Sequence, residues 1–252
     1  MIQDYIRRTA TGGRDTERIG PFLATFSRDS TNPFLNYAIP DASARPTADE
    51  VARLAAAYEK RGLTPRLEYL PRLAPDVEPA LLAGGFAVES RVPLMVCRRG
   101  EEVAQPAPAG FELFVPTSDE DLLGMLTAQH EAFGETEPPT VANLGGLRRS
   151  VDAGQLIVYA RELSTGEPVG GGACAPIADG VGEVVGVAVR TTFRGRGIAA
   201  AITAYLADAA FRAGAAEVFL TPGGETAERI YRRAGFQTTD EMLFMSRMVT
   251  SS

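Results

Sequence analysis

Strand-period and helix-period apolar patterns stand back to back in VVGVAVRTTFRGRGIA, Val184–Ala199. Val185, Val187 and Val189 alternate with small residues, the two-residue repeat of a buried strand. The run stops at Thr191-Thr192 and crosses Arg194-Gly195-Arg196-Gly197. Ile198, Ala201, Ile202, Tyr205, Leu206 and Ala209 then recur at helical spacing, so a helix is expected to follow the turn at once.

The same reading covers the rest of the chain. Asp4–Thr9 and Thr16–Phe26 are expected as helices, the second with Ile19, Phe22, Leu23 and Phe26 on one face. Asn36–Pro40 reads as a short strand. Thr47-Ala48-Asp49-Glu50 forms a capping box that opens a helix carrying Val51, Leu54, Ala55 and Tyr58 and closing at Arg61-Gly62. A strand at Arg66–Leu70, a helix at Asp76–Leu82 and strands at Phe86–Ser90 and Leu94–Cys97 follow. Arg98–Gly110, rich in Pro and Ala, reads as a linker. Beyond it come a strand at Phe111–Val115 and a helix capped by Ser118 and Asp121, with Leu122, Met125, Leu126 and Phe133 on its apolar stripe. Next are a loop at Gly134–Pro139, a helix at Val141–Val151, and strands Leu156–Arg161 and Pro168–Ala175 joined as a hairpin at Ser164-Thr165-Gly166. Glu217–Thr221 is a further short strand.

Two stretches repeat an order. RLEYLPRLAPDVEPALLAGGFAVESRVPLMV and EVFLTPGGETAERIYRRAGFQTTDEMLFMSRM both read strand, Pro, helix, Gly-Phe, then two strands. Each follows a helix ending in Gly, at Gly62 and Gly214, so the chain reads as a tandem of related halves. Aligning Phe86 with Phe236 places Leu81 where Tyr231 stands, and Asp41–Pro46 carries no glycine. The first half therefore lacks an anion cradle and reads as structural.

A strand that feeds a helix through glycines gathers free N–H groups and the positive end of the helix dipole at one point, which suits a phosphate. Glycine admits an anion where a Cβ would clash, and two arginines add charge. Neither a Walker loop nor G-x-G-x-x-G is present. Arg194-x-x-Gly197-x-Ala199 instead resembles the pyrophosphate-arm signature of the GNAT superfamily, the acyl-CoA-dependent N-acyltransferases. Ala227-x-x-x-Tyr231-x-x-x-Gly235-Phe236 resembles that family's ending, and the likeness spans Phe111 to Met248. It implies an α+β GNAT fold: a mixed, mostly antiparallel sheet, splayed at the cofactor strand and flanked by helices. The halves become a degenerate, non-catalytic GNAT-like domain over 1–104 and an acetyl-CoA-binding catalytic domain over 105–252.

The resemblance also implies roles. The backbone of Arg194, Gly195, Arg196, Gly197, Ile198 and Ala199 would hold the pyrophosphate, with Ala227 also at the cofactor. The main chain of Val187, Ala188 and Val189 would pair with the pantetheine arm and turn one N–H to the thioester oxygen. Tyr231, on pattern alone an inward-facing aromatic, takes the place of the thiolate-protonating acid. Glu183 stands four residues before Val187 and eleven before Arg194, the spacing of the catalytic glutamate in the histone-acetylating branch. Two readings of Glu183 stay open: a general base with its pKa raised by apolar surroundings, or a solvated strand-end carboxylate with water and backbone as the relay. The family often has Asn where Gly224 stands. Its acceptor pocket maps to Phe133–Pro139, with Glu135 and Glu137. His130 reads as a packed histidine and Cys174 as a small hydrophobe.

Composition narrows the class. The 252 residues are 45% hydrophobic and 23% charged, enough for a real core. A net charge of −7 disfavours nucleic acid and anionic membranes as partners. Two cysteines far apart give neither a disulfide scaffold nor a metal site. No signal-like or eighteen-residue apolar stretch occurs, so a cytoplasmic protein is expected. The expected activity is transfer of an acetyl group from acetyl-CoA to the primary amine of a small molecule, without a metal, by a monomer or homodimer. The alternatives are acetylation of a protein N-terminus or lysine, and a non-catalytic acyl-CoA sensor.

Overall fold

The computed structural model describes residues 1–28 and 30–248. Residue 29 and residues 249–252, the last of the expected second domain, lie outside that description. The described elements are, in order, α1 (Ile2–Ala10), β1 (Arg14–Ile19), β2 (Phe22–Ser27), β3 (Ala38–Pro40), α2 (Ala48–Glu59), β4 (Arg66–Tyr69), α3 (Val77–Ala83) and β5 (Ala87–Arg98). Then come β6 (Phe111–Phe114), α4 (Asp119–Phe133), α5 (Val141–Asp152), β7 (Leu156–Glu162), β8 (Pro168–Cys174), β9 (Val181–Val189), α6 (Ile198–Arg212), β10 (Glu217–Leu220), α7 (Glu225–Arg233) and β11 (Gln237–Ser246). No helix among the described residues is long and apolar enough to cross a membrane.

The described residues form two compact units, one from Met1–Leu94 with the described residues from Thr239, the other from Met95–Thr238. They do not coincide with a division at residue 104, because strand pairing rather than linker composition sets them. In the first unit β1, β2 and β3 are antiparallel neighbours, β3 runs parallel to β4, and β4 pairs with β11 from Leu243↔Tyr69 to Ser246↔Arg66. In the second, Met95–Arg98 of β5 pairs with β10. Each unit thus takes a strand from the end of the other half of the sequence.

The helix expected at Thr16–Phe26 is instead the β1–β2 hairpin, with Ile19 opposite Phe22. Gly20 has φ +53° and is followed by Pro21, a turn pair that interrupts helical spacing at its centre. The two strands expected at Phe86–Ser90 and Leu94–Cys97 are one continuous β5. The Thr47 capping box is present: Glu50 N–H donates to Thr47 Oγ1 at 3.3 Å, and Thr47 N–H to Glu50 Oε2 at 2.8 Å. The core of this unit includes Phe22, Ile39, Leu54, Tyr58, Leu67 and Leu81, all fully buried.

In the second unit β6, β7, β8 and β9 are antiparallel and β9 runs parallel to β10. Leu122 and Met125 of α4 cluster with Ile157, Tyr159 and Ala173. Ile198, Ile202 and Leu206 of α6 cluster with Val158, Cys174 and Val184, whose side chains alternate with the first set along the strands. Three glycines of β8 let the layers close up. A Cβ on Gly170 would fall 2.3 Å from the Ala188 oxygen, on Gly171 2.5 Å from Met125 Cγ, and on Gly172 2.9 Å from Ile202 Cγ2.

The expected linker at Arg98–Gly110 is a strap fixed within the second unit. Arg99 donates from its main-chain N–H to Ala216 O at 2.9 Å and from Nη2 to Phe211 O at 2.9 Å. Val103 N–H donates to Ala234 O at 3.2 Å, and Gln105 Nε2 to Arg233 O at 2.8 Å. Phe211 O lies in the last turn of α6, and Arg233 O and Ala234 O end α7, where carbonyls outnumber intrahelical donors, so a polar, irregular segment is held there. The strap runs so close that a Cβ on Gly235 would sit 2.4 Å from Glu101 O.

Candidate active site

Parallel pairing of β9 and β10 covers Val181, Gly182 and Glu183 opposite Glu217, Val218 and Phe219. Beyond Glu183 the strands part, and β9 runs on to Val189 with its other edge held by β8. Glu183 therefore occupies the last rung before the opening, and its own carbonyl accepts from Ala175 N–H at 2.8 Å.

A bulge decides which amides of β9 face that opening. The Glu183 carbonyl and the Arg190 N–H, which donates to Val169 O at 2.9 Å, both point toward β8. Residues an odd number of positions apart cannot both do so in a regular strand, where direction alternates. The extra residue enters at Gly186, φ +62°, where the register jumps from Ala173↔Val185 to Gly171↔Ala188. Past it, Ala188 pairs with β8, and the N–H groups of Val187 and Val189 turn outward into the opening. Side chains switch as well. Val185 packs in the α4 cluster, while Val187 and Val189 pack in the α6 cluster, so the three valines do not share a face.

The turn into α6 has the geometry of an anion cradle. Gly195 and Gly197 have φ of +78° and +86°, left-handed values that suit glycine. Gly197 is the N-cap and offers no side chain, so the amides of Ile198, Ala199 and Ala200 have no capping acceptor. Helix α2 is the opposite case, its first amides occupied by the Thr47–Glu50 box.

Two adjoining cavities of about 300 and 380 Å³ share Val189, Arg194, Ala199, Thr226 and Ile230. One reaches Gly195, Gly197 and Ile198, the other Val187, Ala188, Ala227 and Tyr231. Together they form one cleft from the α6 N-terminus along β9 to Tyr231. Ala132 and Phe133, at the end of α4, line it too. The residues present suit an elongated ligand with phosphates at one end and an amide-bearing chain along a strand edge. Arg194 donates from Nε to Val189 O and from Nη2 to Ala132 O, both at 3.0 Å, so its charge also fastens the cradle. Arg196 does not line the cleft; its guanidinium lies over Phe193 at 5.3 Å and Phe111 at 5.8 Å. Glu183 also lies outside the lining, four residues before Val187 on β9.

Burial raises the Tyr231 hydroxyl above its ordinary pKa and keeps the proton on oxygen. Burial pushes the Cys174 thiol up to about 12, with Glu183 adding to the shift, so Cys174 is an inert thiol. His130 is not simply packed: its Nδ1 lies 3.1 Å from Glu135 Oε2, and Glu135 N–H donates to the His130 carbonyl at 2.9 Å. The loop after α4 thereby folds back on its own helix. Gly224, φ +131°, is the uncapped start of α7.

The sequence pattern held two signals that the expectations above did not use. Gly186 inside a valine strand marks a bulge. Thr226, Arg229, Ile230 and Arg233 recur at i, i+3, i+4 and i+7 on α7, and all four line the cleft, two of them bringing charge beside the α6 N-terminus.

The sequence profile of the Acetyltransferase (GNAT) family matches residues 110–236. No functionally curated protein matches the chain. Among solved structures, a GCN5-related N-acetyltransferase from Kribbella flavida superposes with TM-score 0.82 at 25% identity, over 99% of this chain and 95% of that one. A GCN5-related N-acetyltransferase from Sphaerobacter thermophilus gives TM-score 0.71 at 18% identity, covering 99% and 86%. A tandem GNAT protein from the clavulanic acid biosynthesis pathway gives 0.67 at 15%, covering 100% and 89%. The last two establish likeness of fold, a mixed α+β arrangement resembling tandem GNAT structures. With its second half matched by the family profile, and a cradle, a parted strand pair and a lining tyrosine in that same half, the chain belongs to the GNAT acetyltransferase family.

Proposed function

We propose that the protein transfers an acetyl group from acetyl-CoA to the primary amine of a small molecule, by direct attack within a ternary complex. The observation that carries this is the continuity of the cleft: uncapped α6 amides, the outward amides of Val187 and Val189, and Tyr231 all border one opening. In this reading the diphosphate rests on the backbone from Gly195 to Ala200. Arg229 and Arg233 supply charge for the remaining phosphate. The pantetheine amides pair with β9 at Val189, and the Val187 N–H polarises the thioester carbonyl.

The amine nitrogen attacks the thioester carbon and the C–S bond breaks. The amine proton passes through water to Glu183, at the rung where β9 and β10 part. The departing sulfur takes a proton from Tyr231, whose raised pKa keeps it protonated. An unreactive Cys174 favours direct attack over an acyl-enzyme.

The experiment is calorimetry with coenzyme A, followed by a thiol-release screen over amines, polyamines, aminoglycosides and peptides. Binding with turnover on a small amine supports the proposal. Turnover on peptides alone would replace it with a protein-modifying activity, and binding without any turnover would replace it with an acyl-CoA sensor. No heat at millimolar coenzyme A would overturn it.

A further inference from the structure

The peptide unit between Gly186 and Val187 has two ends with separate roles. Its N–H, on Val187, is directed away from β8 into the cleft, as the phase of β9 requires. Its C=O, on Gly186, accepts a hydrogen bond from Nε2 of Gln129, on α4, at 2.8 Å. The described residues contain no cis peptide, and in a trans peptide the C=O and N–H point in opposite directions. A donor that fixes the oxygen therefore fixes the direction of the N–H.

We infer that Gln129 is a positioning residue that aims the Val187 amide at the thioester carbonyl. The inference rests on the acetyl-transfer reading of the cleft. Three features favour it over an incidental surface contact. First, Gly186 is glycine at φ +62°, so its peptide plane is held less firmly by local sterics than that of any other residue type. Second, the bulge leaves this unit outside the regular β8–β9 register, where a ladder bond would otherwise orient it. Third, α4 is anchored next to the same strands by Met125, whose Cγ lies 2.5 Å from where a Gly171 Cβ would be, so Gln129 projects from a rigid support. A Cβ on Gly186 would sit 3.3 Å from Gln129 Nε2, which shows how closely the amide is seated on the bulge. Donation from Nε2 also draws electron density toward the Gly186 oxygen and makes the opposite N–H a stronger donor, the polarisation expected along a hydrogen-bonded chain. Gln129 itself makes no contact with the reacting atoms in this scheme; it acts through the peptide.

The test uses three full-length variants, Gln129→Leu, Gln129→Glu and Gly186→Ala. Leu removes the donor, Glu presents an acceptor to an acceptor, and Ala disturbs the bulge. Each is first checked for native-like melting and for acetyl-CoA binding by calorimetry. The decisive readout is the carbonyl stretch of bound 13C-acetyl-CoA in difference infrared spectra, which requires no acceptor amine. In the parent protein the stretch should lie below its value in water. In Gln129→Leu and Gln129→Glu it should move back toward the free value, while the Kd for acetyl-CoA changes by less than about threefold. With an amine substrate in hand, kcat should fall about 10- to 100-fold at nearly constant KM for acetyl-CoA, since losing an oxyanion donor outright costs about 100- to 1000-fold. A bound carbonyl stretch identical in parent and Gln129→Leu would overturn the inference while leaving acetyl-CoA binding intact. Failure of the parent to bind acetyl-CoA would instead overturn the reading on which it rests.

Discussion

Arg194 donates from Nε to the main-chain oxygen of Val189 at 3.0 Å, so the residue that opens the glycine turn also clamps the end of the strand leading into it. Its second bond, to Ala132 O, brings the end of α4 into the same clamp. Shape of the cradle and placement of the cleft wall therefore share one guanidinium. Arg194→Ala should loosen both. Because the bonds are charge-assisted but partly exposed, the stability loss should be about 1–2 kcal/mol. Affinity for coenzyme A should fall by a larger factor than that of an Arg196→Ala variant, whose side chain stacks on Phe193 instead. Calorimetric titration of the two variants side by side checks the order.

Gly197 offers a cleaner separation of binding from folding. A Cβ there would meet Pro108 Cγ at 3.6 Å, an ordinary contact, so space permits a side chain. The φ of +86° does not, and alanine in that conformation costs about 1–2 kcal/mol. Relaxation of the turn would swing the first amides of α6 away from the phosphates. Gly197→Ala should stay folded and lose about tenfold or more in affinity for coenzyme A, as expected when one charge-assisted bond is misaligned. Unchanged affinity in a folded variant would remove the cradle from the proposal.

On α7, Arg229 and Arg233 line the cleft at the α6 N-terminus. Converting both to Gln should weaken coenzyme A markedly and 3′-dephospho-coenzyme A much less, because in the proposed binding mode the lost charges face a phosphate only the first ligand carries. Equal losses for the two ligands would assign these arginines to the diphosphate.

Tyr231 supplies a pH test. Burial favours the neutral phenol, so its pKa lies above the ordinary value near 10. An acid must be protonated to act, and a raised pKa extends activity to higher pH. The kcat profile should show no loss attributable to this group up to about pH 10, and Tyr231→Phe should lower kcat about 10- to 100-fold across the plateau. A descending limb near pH 8 that vanished in Tyr231→Phe would contradict the buried, neutral hydroxyl.

Gly171 tests the packing beneath the site. Its α-carbon faces Met125 so closely that an added methyl would fall 2.5 Å from Cγ and 3.0 Å from the Val158 oxygen. Gly171→Ala should destabilise the protein by about 1–3 kcal/mol, the usual cost of overpacking, and thermal unfolding measures it directly.

Local signals in the chain were enough for several elements and for the location of the cradle. The Thr47–Glu50 box, the Ser118 cap and the Arg194–Ala199 turn involve residues within a few positions of one another, and their hydrogen bonds or steric needs are met by neighbours. Short-range physics also explains the two motifs of the second half, since a glycine turn and an i, i+4 helix face need no distant partner to be recognised. The hairpin at Ile19–Phe22 was equally local, yet four apolar residues at helical spacing masked the Gly20-Pro21 turn. Periodicity over so short a run cannot separate the two structures.

Tertiary structure alone decided the rest. Whether β11 joins β4, and Met95–Arg98 joins β10, depends on which strand edges meet, and that pairing involves residues far apart in sequence. Arg98–Gly110 resembles a linker in composition because it lacks regular structure, but carbonyls at the C-terminal ends of α6 and α7 hold it as a strap. The phase of β9 is the most consequential case. VVGVAV alternates smoothly as text, and one inserted residue at Gly186 reverses which amides and which valines face the cleft. A two-residue repeat carries no record of its own interruption; Gly186 is its one local mark, and the partner strand β8, one residue shorter across the gap, fixes where it falls.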